Sequence, residues 1–63
     1  MAMRMIACTR KNKDGQTVYA VERRGEFALT IGIDKADGWY LISERTGFRN
    51  EDRLMKAYKE KAK

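Results

Sequence analysis

The stretch Phe27-Ala28-Leu29-Thr30-Ile31-Gly32-Ile33 places a large apolar residue at every odd position and a small or polar one at every even position. A period of two is the pattern of a strand with one face on a core and the other away from it. Polar turn signals flank it. Arg24-Gly25 precedes it, and Asp34-Lys35-Ala36-Asp37-Gly38 follows it. Beyond those turns lie two more strand-like runs, Thr17 to Arg23 and Trp39 to Arg45. A fourth, Met3 to Arg10, is separated from Thr17 by the polar Lys11-Asn12-Lys13-Asp14-Gly15.

A helix follows the strands. Asn50 is a suitable N-cap, since its side-chain oxygen can accept from an amide of the first turn. Glu51 and Asp52 stand at the positive end of the helix dipole, and Lys56, Lys59, Lys61 and Lys63 lie toward the negative end. Leu54, Met55, Tyr58 and Ala62 fall on one face, which predicts an amphipathic helix over about residues 50–60. The expected fold is therefore α+β in one small domain: an antiparallel β-meander of three to four strands with a C-terminal helix packed on one face.

The turn at Gly25 decides which residues share a face. A two-residue loop of Arg24 and Gly25 sets Arg23 opposite Glu26 and parts Tyr19 and Val21 from Phe27 and Leu29. A three-residue loop with a bulge at Gly25 sets Glu22 opposite Glu26. It brings Tyr19 and Val21 into line with Phe27, Leu29 and Ile31. Burying Tyr19 and Val21 is worth ~1.5–3 kcal/mol each, against under ~1 kcal/mol for an exposed ion pair. The bulged register is the expectation on that ground. In it Val18, Ala20, Ala28, Thr30 and Gly32 form a shallow strip on the second face.

The runs Met5-Ile6-Ala7-Cys8 and Trp39-Tyr40-Leu41-Ile42 are apolar without alternation. Such runs point to burial on both faces. Strands one and four would then pair with each other or be covered by a second subunit, with Ile6, Tyr40 and Ile42 as interface candidates. A chain of 63 residues buries little of its surface, so association is one route to stability.

Composition narrows the chemistry. There is no histidine and only one cysteine, Cys8, so no internal disulfide forms and no zinc-ligand spacing exists. Cys8 and Ser43 have no histidine to activate them. Cys8 reads as a small packed hydrophobe. No cofactor motif is present, and a non-enzymatic binding module is expected. The lone cysteine and the lack of a signal-peptide pattern predict a reducing, cytoplasmic setting. No apolar run is long enough to span a membrane.

The net charge of +5 favours an acidic partner. In an up-down meander Arg4, Arg23, Arg24, Arg45, Arg49 and Arg53 fall near one end, beside the helix start. Arginine forks suit phosphate oxygens. Glu22, Glu26, Glu44, Glu51 and Asp52 lie at the same end, and ordinary surface ion pairing is the competing account. The lysines of the helix either track a phosphate backbone or simply complement the dipole.

The leading expectation is a nucleic-acid-binding accessory protein that holds phosphates with Arg23, Arg24, Arg45, Arg49 and Lys56, with Tyr40 approaching bases. A meander followed by a helix is a layout that small DNA-binding modules use when they lay a sheet in the major groove. The alternative is a protein-interaction module, docking on an acidic protein partner or forming a homodimer.

Overall fold

A computed structural model describes residues 2–63. Four strands and a helix follow one another as β1 (Met3–Thr9), β2 (Thr17–Arg23), β3 (Glu26–Lys35), β4 (Gly38–Phe48) and α1 (Glu51–Lys61). The strands form one antiparallel sheet in the order β1-β2-β3-β4. The sheet is open, so β1 and β4 are its edges and do not pair with each other.

The helix begins where the sequence indicates. Asn50 has extended backbone, and its side-chain oxygen accepts from the Arg53 amide at 2.9 Å. Helix α1 lies across β2 and β3 and touches β4 less. Its one fully buried side chain, Leu54, meets Val18, Ala20, Leu29 and Ile31. Ile6, Phe27, Phe48, Met55 and Tyr58 pack around that cluster. At the far end Asn12 ties the β1–β2 loop to the helix. Its Oδ1 accepts from the amides of Asp14 and Gln16, and its Nδ2 donates to the Lys61 carbonyl at 2.9 Å. The Lys13 amide also donates to the Lys63 carbonyl.

The register at Gly25 is the two-residue one, not the bulged one expected above. Arg23 pairs with Glu26, Val21 with Ala28 and Tyr19 with Thr30. Arg24 and Gly25 both have positive φ, 52° and 77°. Those values are the primed turn whose twist matches the flanking strands, and that local match outweighs the gain assumed for the bulge. The faces change accordingly. Val18 and Ala20 lie under the helix with Leu29 and Ile31, and the shallow strip does not exist as drawn. Tyr19 and Val21 share the outer face with Ala28, Thr30 and Gly32. Burial was not the discriminator it looked to be, because Val21 is 5% exposed even without a helix above it.

The unalternating runs also have a different cause. Met5 pairs with Val21 and Ala7 with Ala20, which leaves Ile6 as an extra residue. Gly32 pairs with Leu41 and Ile31 with Ser43, which leaves Ile42 extra. These β-bulges, and not two-sided burial, break the period of two. A third irregularity sets Thr46 and Gly47 opposite Ala28 and carries β4 on to Phe48. All of β4 before Phe48 is exposed. Cys8 is exposed too, since it pairs with Tyr19 on the face that the helix does not cover.

Candidate nucleic-acid interface

The arginine pole separates into two populations once the faces are known. Arg4 bridges the sheet to the helix start. Its guanidinium bonds Glu22 at 2.8 Å and Glu51 at 3.1 Å. The hydrogen bonds to Glu22, and then to Glu51, hold the Arg4 pKa above its ordinary value. On the outer face Arg23 bonds Glu44 at 3.1 Å, and Glu44 also accepts from the Thr30 hydroxyl. Three of the carboxylates expected to neutralise the pole are thus committed to Arg4 and Arg23.

The second population lines an open cleft between the end of β4 and α1. Arg45, Arg49, Arg53 and Lys56 converge there with Phe48 and Ala57, around a space of about 420 Å³. Glu60 is the single carboxylate in the lining. Among the described residues none of these four cations forms an ion pair. Arg45 instead stacks over Phe48, with its guanidinium carbon 4.9 Å from the ring centre.

Local sequence explains the convergence. The Gly47 bulge brings Arg45 and Phe48 to the same face of β4. Arg49 follows directly, before the Asn50 cap. Arg53 and Lys56 are three apart on the helix and therefore neighbours on its flank. Like charges in such proximity repel, and a bound anion relieves that repulsion.

Of the residues singled out from sequence, Arg45, Arg49 and Lys56 come together in this cleft. Arg23 and Arg24 do not. Arg23 is engaged on the outer face, and Arg24 sits in the β2–β3 turn. Tyr40 is remote, near the β3–β4 tip, where its hydroxyl donates to Asp37 at 2.6 Å. That hydrogen bond, with a smaller contribution from desolvation, pushes the Tyr40 phenol pKa up. Lys35 lies over its ring at 5.3 Å. Arg53 belongs in the cleft but was not singled out as a binding residue; its spacing from Lys56 was the available signal. The interface candidates also disperse: Ile6 packs on the helix-side core, Ile42 lines a hollow with Ile31 near the helix end, and Tyr40 is opposite Ile33.

Among the described residues no cluster of three or more His, Cys, Asp or Glu is placed to hold a metal. No helix there is long and apolar enough to cross a membrane. Compared with models of known protein families, with curated proteins and with solved structures, the chain matches none of them.

Proposed function

We propose that this chain is a small, non-enzymatic nucleic-acid-binding module whose phosphate contacts are made by Arg45, Arg49, Arg53 and Lys56. One observation carries the reading. Among the described residues, four cations without carboxylate partners share one open cleft, while neighbouring carboxylates are held by Arg4 and Arg23. Guanidinium forks bind phosphate oxygens in a bidentate way, and the lysine adds a mobile point charge. Binding rather than catalysis accords with a chain that has no histidine.

The experiment is a salt titration of binding to short single- and double-stranded DNA and RNA, followed by anisotropy. Affinity should fall linearly on a log–log plot against salt, with a slope of about −3 for three to four neutralised phosphates. Reversing Arg49→Glu and Arg53→Glu together should abolish binding. Lys13→Glu with Lys35→Glu changes the net charge equally but lies outside the cleft lining, and should weaken binding only slightly. Equal losses in the two double variants would mean that total charge, and not the cleft, attracts the ligand. No binding at low salt would sink the reading altogether.

A further inference from the structure

We infer that the uncovered face of the sheet is a self-recognition surface, and that two copies of this chain pack outer face to outer face. The inference is independent of the nucleic-acid reading. A sheet with two apolar faces needs a layer on each, and α1 supplies only one. On the other face Met3, Met5, Trp39 and Leu41 remain 42–60% exposed. Only seven apolar side chains are buried in the described chain, a small core for a lone domain.

Shape favours a second copy as the occupant. The outer face has a ridge at one end and a hollow at the other. The ridge is Trp39, whose indole lies over Gly32 and meets Tyr19 edge-on at 6.3 Å. The hollow, about 230 Å³, is floored by Val21 and walled by Met3 and Met5. Midway between them runs the paired row of Cys8, Tyr19, Thr30 and Glu44. A two-fold axis along that row reverses the strands and carries each Trp39 to the end of the face where the other copy has its hollow. Such an interface is isologous and closes on itself.

Charge agrees. The four cations of the cleft lie on the helix side, away from this face. Arg23 and Glu44 neutralise each other as an ion pair that lines the hollow. A phosphate ligand would instead meet Glu26, Asp34 and Glu44 here. The area suffices for a modest dimer. Strands ~4.8 Å apart rising ~3.3 Å per residue give roughly 550 Å² in projection per copy. Standard interfaces bury about 800 Å² per partner in accessible area, which exceeds projected area.

The test is sedimentation equilibrium of the full chain from micromolar to millimolar concentration, with Trp39 emission read in parallel. A reversible dimer is expected, with emission shifting to the blue as it forms. Leu41→Glu and Met5→Glu, both at exposed positions, should each give a monomer with unchanged far-ultraviolet circular dichroism. Ile42→Glu, on the opposite face, should leave the dimer intact. A short bis-maleimide should join the two copies through Cys8, which lies on the proposed axis. A monomer at millimolar concentration overturns the inference, even if some other protein binds the face. So does a dimer that survives both outer-face variants, that Ile42→Glu dissolves, or whose Cys8 thiols do not cross-link.

Discussion

Arg45 carries its guanidinium 4.9 Å above the Phe48 ring, and the two residues share a face although their positions differ by three. In an unbroken strand an odd spacing points side chains to opposite faces. The extra residue at Thr46-Gly47 reverses that, with Gly47 at a φ of 81°. Gly47→Ala should cost about 1–2 kcal/mol in urea unfolding, since a side chain is strained there. Deleting Thr46 makes the spacing even, so Arg45 and Phe48 keep a common face in a regular ladder. The salt slope for nucleic acid should then stay unchanged, whereas Arg45→Ala should lower its magnitude by about one.

Gly32 and Trp39 form a second dependent pair. A Cβ added at Gly32 would stand 1.9 Å from one indole carbon and 2.2 Å from the next. Gly32→Ala should therefore displace the indole and cost ~1–3 kcal/mol. In a Trp39→Ala background the same change should cost almost nothing. A double-mutant cycle in urea reads the coupling directly.

Leu54 is the helix's fully buried anchor. Leu54→Ala should cost ~2–5 kcal/mol, enough to leave so small a domain partly unfolded at room temperature. Thermal melts by circular dichroism would show it.

The two ends of α1 depend on two asparagines. Asn50→Ala removes the bond to the Arg53 amide and should cost about 1 kcal/mol. Asn12→Ala strips the loop of both Oδ1 acceptor bonds and frees the Lys61 carbonyl. It should cost ~1–3 kcal/mol. Hydrogen exchange distinguishes them: faster exchange in the first turn for Asn50→Ala, and in the β1–β2 loop for Asn12→Ala.

Tyr40 gives a pH signature. Its phenol pKa is raised chiefly by the bond it donates to Asp37. The bond needs the proton, so its contribution is complete below the ordinary tyrosine pKa. It is lost as pH rises through the higher folded value. Carbon-13 chemical shifts of labelled tyrosine should place the Tyr40 midpoint above the ordinary value. Asp37→Ala should lower it.

The helix, its cap and the strand order were legible because each has a local cause. Asn50 caps, Asp-Gly and Arg-Gly mark turns, and Phe27 to Ile33 alternates. The register at Gly25 was not, because two turns of nearly equal length compete and differ by one residue. The bulges at Ile6, Ile42 and Gly47 were hidden for a related reason. A bulge looks in sequence like a run that has lost its alternation, which is also how two-sided burial looks. The same ambiguity limited the candidate site. Chain reversal put six arginines near one end, but only the faces determine that Arg4 and Arg23 meet carboxylates while Arg45, Arg49 and Arg53 do not. Arg24 and Tyr40 were grouped with them by end and by type, and neither criterion knows about faces.

Both edge strands are interrupted, β1 at Ile6 and β4 at Ile42 and again at Thr46-Gly47, while β2 and β3 pair without a break. A fibril grows by docking a fresh strand on an unbroken row of free amides and carbonyls. The segment Trp39-Tyr40-Leu41-Ile42 is apolar, β-prone and exposed, the composition that seeds such growth. The bulge at Ile42 falls within it and breaks the row. The irregularities that obscure this chain's pattern thus act as chain terminators for polymerisation. They leave a sticky edge sequence without the unbroken row on which a fibril templates.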